Sequence, residues 1–281
     1  MYLTKCGADV SRIFGDLRIL HQYQCETTSM CFWRPAEVAG DELFYRDISS
    51  RWPSYYRTNR WEYAIARGHI QAGSQVLEVG CGRGYFLNSL EHFVSGGVGL
   101  ELNRSAIEAK VTKFTMQQAL IENFAVENPQ QFGAVCSFQV LEHVVDPAEF
   151  IRNCVACLKP GGVLILSTPN YDYVAHRRHE DAFDLPPHHL NHFTSSVYEK
   201  IAALFGLEVI DIIREQVAIP SVSLPIRGHE PYLQRIIMSL INLLLRRFGS
   251  KQNDGHTLVA ILRRPHSQPA IRNLPCSTTL E

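Results

Sequence analysis

Three groups of residues have the types and spacing that chemistry requires. The first is Glu78-Val-Gly80-Cys81-Gly82-Arg-Gly84, an acidic, glycine-rich loop directly after the apolar run Gln75–Val79. Glycines at 80, 82 and 84 let the backbone turn sharply and approach a ligand that a Cβ would exclude. Glu78, inside the end of that run, could take a ligand's ammonium group. The second is Glu101, 21 residues after Gly80 at the end of a further apolar run. A carboxylate there can accept hydrogen bonds from the hydroxyls of a ribose. The third is the segment Asp184-Leu-Pro-Pro-His188-His189-Leu-Asn-His192-Phe. A neutral imidazole from His188 or His189 could remove a proton from an acceptor hydroxyl or amine. His192 ranks behind these two. The plainer alternative has one of these histidines capping the next helix and another only packing.

These groups need elements that bring them to one edge. Apolar runs at 75–79, 97–101, 132–137 and 163–167 alternate with helical stretches, and a weaker run lies near 113–116. A helix is expected over 52–70, another over 84–93, a third from a Ser105 cap to about Lys113, and a fourth from Pro147 to about Leu158. Lys159-Pro-Gly-Gly162 reads as a turn. A helix at 195–204, a strand at 207–213 and a last strand at 256–262 follow. The expected fold is α/β, a doubly wound, mostly parallel seven-stranded Rossmann-like sheet with an antiparallel edge pair and a small N-terminal appendage. We divide the chain into an appendage at 1–50, a main domain at 51–264 with a helical insertion at 219–255, and a flexible tail at 265–281. In such sheets ligands lie beyond the carboxyl ends of the strands, which is where all three groups fall.

The spacing G-x-G-x-G separates two nucleoside ligands. Dinucleotide sites favour G-x-G-x-x-G, and here Tyr85 occupies the third glycine's place. Residues 76–90 (VLEVGCGRGYFLNSL), 132–170 (including FGAVCSFQVLEHVVDPAEFI and LKPGGVLILSTPN) and 183–210 (including DLPPHHLNHFT and FGLEVIDI) resemble class I methyltransferases of the ubiquinone-biosynthesis O-methyltransferase-like group. The resemblance implies S-adenosylmethionine as cofactor and a methyl group passed to a small-molecule acceptor, with oxygen preferred over nitrogen or carbon. It also implies a cofactor-binding set of Glu78, Gly80, Cys81, Gly82, Gly84, Glu101, Leu102, Gln118, Gln139 and Tyr56. Tyr55, Tyr56 and Arg60 would cover the methionine end. An amide, Gln117 or Gln118, would stand in for an adenine-side acid that many relatives carry.

Two departures bear on metals. Some relatives hold a divalent ion with Glu-x-x-Glu-His, and this chain reads Gln139-Val-Leu-Glu142-His143. A neutral amide is a poorer ligand for a hard cation, so Glu142 and His143 are expected to cap a helix or line the site, and no metal is expected. Residues 23–35 resemble half of a zinc ribbon, but Thr28 stands where the partner of Cys25 should be and Cys6 is alone. We read a degenerate ribbon without its metal. Cys154-x-x-Cys157 is expected to pack inside a helix.

The 281 residues carry 27 basic and 28 acidic side chains, so no net field favours nucleic acid. No run reaches the ~18 apolar residues of a membrane span, and the scattered eight cysteines suit a reducing, cytoplasmic setting. The apolar helix expected at 232–247 could cover the acceptor site, or form a homodimer contact or a membrane-surface face. Two other functions stay open: a nicotinamide-dependent oxidoreductase, disfavoured by Tyr85 and the Lys159-Pro-Gly-Gly turn, and a non-catalytic S-adenosylmethionine-binding protein.

Overall fold

A computed structural model describes residues 9–52, 55–175, 182–216 and 254–267. The insertion at 219–255, including the helix expected at 232–247, lies almost wholly outside these residues, as does most of the tail. Among the described residues no helix is long and apolar enough to cross a membrane.

The central sheet has seven strands. In chain order they are β3 (Gln75–Val79), β4 (Gly96–Leu100), β5 (Thr115–Gln117), β6 (Phe132–Phe138), β7 (Leu158–Pro169), β9 (Glu208–Gln216) and β10 (Asp254–Arg263). Their spatial order is β5-β4-β3-β6-β7-β10-β9. The pairs from β5 across to β7 are parallel, and β10 runs antiparallel to both β7 and β9. The expected sheet and its antiparallel edge pair are therefore present. Val76, Leu77, Ala134, Val135, Leu164 and Ile165 are all fully buried because helices cover both faces. One face packs on the helices Ile121–Glu127, Pro147–Cys157 and Ser195–Phe205, the other on Trp61–His69 and Tyr85–Ser89. Cys154 and Cys157 are completely buried in the first of these layers, as expected for packing residues.

Element ends depart from the sequence reading where side chains compete with the helix. The helix expected over 52–70 begins only at Trp61, because Tyr55 and Tyr56 turn inward and pack edge to face at 5.3 Å. The helix after the glycine loop stops at Ser89, whose hydroxyl donates to the Phe86 carbonyl at 2.6 Å. The next helix is Arg104–Glu108, shorter than expected, and its cap is Asn103 rather than Ser105: Asn103 Oδ1 accepts the Ser105 N–H. Lys159–Gly162 is counted within β7, but the ladder passes from Leu158 opposite Phe132 to Val163 opposite Ala134, so these four residues bulge from it.

The N-terminal segment joins the main body through backbone pairing. β1 (His21–Gln24) and β2 (Cys31–Arg34) form an antiparallel hairpin, and β2 also pairs with β8 (Asn191–His192) at the end of the His-rich segment. The helix Glu42–Arg51 buries Phe44 and Ile48. Asp41 caps it by accepting the Phe44 N–H at 2.9 Å.

Candidate active site

β3, β4 and β6 end side by side, and the residues that follow them line one cleft of about 760 Å³. The chain leaves β3 through Gly80, Gly82 and Gly84, all with positive φ. At Gly82 φ is +55°, and a Cβ there would lie 2.7 Å from the Tyr56 ring. Gly80, Cys81 and Gly82 border the cleft, whereas Gly84 stands behind it as the cap of the helix Tyr85–Ser89.

Glu101, just past β4, is held by backbone amides. Gly82 N–H donates to its Oε2 at 2.8 Å, and Leu102 and Asn103 N–H donate to its Oε1 at 2.9 and 2.8 Å. A carboxylate has about four acceptor positions, so the three amides orient it and leave one for a ligand hydroxyl. Burial raises its pKa against the pull of those amides. Glu78 is 2% exposed, its Oε2 has no partner, and burial pushes its pKa well above the carboxylate range. A buried carboxyl with an orphaned oxygen fits a cationic ligand group. Tyr56 takes the Asn103 Nδ2–H on its hydroxyl at 2.9 Å, and Tyr55, Arg60 and Leu102 line the same cleft. Eight of the ten expected cofactor residues therefore line the cleft, and Gly84 and Gln118 do not. Gln118 stands outside the cleft lining and donates to the Leu102 carbonyl at 3.0 Å. Gln139 lines the cleft in a left-handed conformation (φ +57°), with its amide donating to Ser167 Oγ at 3.0 Å. Ser167 in turn donates to buried Glu62, which lies 3.8 Å from Arg60.

The opposite wall is built from histidines. His143 follows β6, and His188 and His189 come from the segment beyond β7. Rings 143 and 188 meet edge to face at 4.6 Å, and rings 188 and 189 stack at 4.5 Å. Asp184 Oδ1 lies 3.2 Å from His189 Nδ1 and 3.8 Å from His256 Nε2. Burial would raise Asp184, but its contacts with His189 and His256 outweigh it and hold the carboxyl below its usual range. Burial first, then the neighbouring His189, lowers His143 to about 3 and His188 well below its ordinary value, so both are neutral. Glu142 is 1% exposed with neither oxygen partnered, and burial pushes it up to about 8.

The expected pair His188 and His189 thus lies in the cleft, and His192 does not line it. His192 accepts the Trp33 Nε1–H at 3.1 Å instead. No histidine caps the following helix; Thr194 does, accepting the Val197 N–H. Likewise Asp146, not Glu142 or His143, caps the helix Pro147–Cys157. The sequence reading passed over Asn103, Glu62 and Tyr45. An asparagine two residues past a ribose-type carboxylate is a signal for the first. Tyr45 and Glu62 have no local signal, since only the fold brings Tyr45 to the cleft and sets Glu62 behind it against Ser167 and Arg60.

Residues 51–212 match the family model described as a methyltransferase domain. A ubiquinone biosynthesis O-methyltransferase of Vibrio vulnificus is 34% identical over 142 residues, which are 45% of this chain and 60% of that protein. The chain thus aligns with about 60% of the length of this curated relative. Among solved structures, a SAM-dependent methyltransferase of Thermotoga maritima is 16% identical with a TM-score of 0.55, covering 79% of this chain and 97% of its own. One of Archaeoglobus fulgidus is 17% identical with a TM-score of 0.50, covering 80% and 95%. At these identities the two structures share the fold.

Proposed function

We propose, from the premise that this chain belongs to the methyltransferase-domain family, that it moves a methyl group from S-adenosylmethionine to an oxygen of a small aromatic acceptor. The observation that carries the proposal is that Glu78, Glu101 and the histidine cluster open onto a single cleft. When bound, S-adenosylmethionine supplies an electrophilic methyl on a sulfonium sulfur. The residues present fit it. Glu101 takes a ribose hydroxyl, Gly80, Cys81 and Gly82 let the backbone lie against the nucleoside, and Glu78 takes the ammonium with its unpartnered oxygen. Tyr56 closes over the same end.

The acceptor occupies the other half of the cleft, between Tyr45, Tyr55 and Phe183. These rings favour a flat aromatic ligand, in keeping with the name of the Vibrio vulnificus relative. His189, oriented by Asp184 at 3.2 Å, accepts the hydroxyl proton as the oxygen takes the methyl. Alignment of donor and acceptor supplies the rest of the rate, and it follows from both lying in one enclosed cleft. The reaction is assigned to the cytoplasm, supported by six free cysteines among the described residues.

Calorimetric titration with S-adenosylhomocysteine and, separately, NADH tests the cofactor. Stoichiometric binding of the first alone is expected, and binding of NADH alone would replace this reading with a nicotinamide-dependent oxidoreductase. Methyl transfer to a panel of phenols then tests the acceptor. Tight S-adenosylhomocysteine binding without turnover of any acceptor would favour a non-catalytic binding protein.

A further inference from the structure

We propose that His143, His188 and His189 bind one divalent transition-metal ion of the zinc type through their Nε2 atoms, with a fourth position open to the cleft. One ring nitrogen from each lies within 4.8 Å of the others. Tetrahedral zinc, with nitrogens at about 2.0–2.1 Å, needs them about 3.3 Å apart, so modest side-chain rotations close the set.

The surroundings prepare the rings for this. Each Nδ1 faces an oxygen acceptor: the His188 carbonyl for His143, the Phe183 carbonyl at 3.0 Å for His188, and Asp184 Oδ1 at 3.2 Å for His189. An acceptor at Nδ1 keeps the proton there and assigns the lone pair to Nε2. The Tyr55 hydroxyl, 3.4 Å from His188 Nε2, agrees with this tautomer, because a phenol donates. Metal-bound histidines are oriented in the same manner, by a carbonyl or carboxylate on the second nitrogen. His188 and His189 are 8% and 6% exposed, so water competes little for their lone pairs. Asp184 supplies counter-charge, and Glu142 a further oxygen donor once its proton is displaced. Glu142 has two unpartnered oxygens, one of them 3.7 Å from His143 Nε2, and Asp184 lies behind His189.

The ligand set names the class of ion. Imidazoles suit zinc, cobalt, nickel and copper, whereas magnesium prefers oxygen ligands. This differs from the carboxylate pattern that Gln139 interrupts, since that amide is engaged by Ser167. Three histidines with an open fourth position form the catalytic type of zinc site. On the methyl-transfer reading, that position faces the acceptor oxygen, and a bound ion would stabilise it as the oxyanion with its proton released to solvent, in place of the transfer to His189 in the metal-free protein.

The test is titration of the metal-stripped full chain with Co²⁺, read by visible d–d absorption. One equivalent per chain is expected, displaced by Zn²⁺ and not by excess Mg²⁺. Asp184→Asn should weaken binding about 10- to 100-fold. His143→Gln and His189→Gln should each remove the four-coordinate spectrum, and Cys25→Ser with Cys31→Ser should leave it intact. Absence of stoichiometric uptake, loss of uptake in the cysteine variant, or retention in a folded His143→Gln/His189→Gln protein overturns the proposal. Should the histidine variants fail to fold, X-ray absorption of the cobalt-loaded wild type decides: a shell of three imidazoles supports the site and sulfur ligands refute it. S-adenosylhomocysteine affinity, measured separately on the same proteins, shows whether the methyl-transfer reading fails independently of the metal.

Discussion

Burial removes the water that would stabilise a charge on Glu78, so in the ligand-free cleft its carboxyl keeps its proton to higher pH than an exposed one. Its raised pKa means that the free protein binds a proton that the unfolded chain releases above 4.5. Its contribution to stability is therefore present below that value and is lost as pH rises through the folded-state pKa. An ammonium group placed against it reverses the balance and expels the proton. S-adenosylhomocysteine binding above pH 4.5 should accordingly release about one proton and tighten with rising pH. Calorimetry in buffers of different ionisation enthalpy measures this release. Glu78→Gln should abolish it and weaken binding, and equal release from the variant would remove Glu78 from the ammonium site.

At the scale of elements, the glycine turn and the helix caps carry separable loads. Gly82 adopts φ +55° against Tyr56. An alanine there meets about 1–2 kcal/mol of backbone strain in addition to the ring contact. Gly82→Ala should lower S-adenosylhomocysteine affinity about tenfold or more, consistent with that strain, and wild-type affinity would show that the loop yields. The helix Ser195–Phe205 buries Val197, Tyr198, Ile201, Ala202 and Phe205 and is capped by Thr194 far from the cofactor residues. Thr194→Ala should cost about 1 kcal/mol, seen as a melting-temperature drop of about 2–4 °C, with S-adenosylhomocysteine affinity unchanged. A change in affinity would mean that the cap acts through the histidine segment beside it.

Across the whole molecule, the N-terminal hairpin and the histidine segment form one structure. Trp33 N–H donates to the Leu190 carbonyl at 2.9 Å, and its indole reaches His192 at 3.1 Å. Gly40 N–H donates to the Pro187 carbonyl at 2.8 Å, and Ala39, Gly40, Asp41, Glu42 and Tyr45 line the cleft. These residues precede the matched methyltransferase domain, which begins at residue 51. They touch the histidine side of the cleft and leave the glycine loop untouched. Trp33→Ala should therefore lower acceptor turnover by about tenfold or more, since a 1 Å misplacement of reacting groups can cost 10²-fold. S-adenosylhomocysteine affinity should stay within about twofold, because lost positioning at the acceptor leaves uniform cofactor binding intact. Parallel loss of both would show that the hairpin supports the entire cleft.

The sheet, and the residues that meet at the ends of β3 and β4, are legible in the sequence. Buried parallel strands leave continuous apolar runs, and a ligand loop after β3 leaves glycines at positions where φ must be positive. Glu101 is legible for the same reason, since its role depends on its place at the end of β4, and Cys154 and Cys157 were legible as packing residues. Helix ends were less legible, as at Ser89, Asn103 and Trp61, because side-chain bonds and tertiary packing override propensity there. Only the tertiary structure decided the other half of the cleft. Tyr45, His143 and His188 come from three separate stretches of chain, and no local period records that they meet. It also moved Gln118 out of the lining and turned the Gln139 amide onto Ser167. In the segment read as a degenerate ribbon, β2 pairs with β8 of the histidine segment. Pairing between β2 and β8, more than 150 residues apart, is a contact that composition and periodicity do not encode.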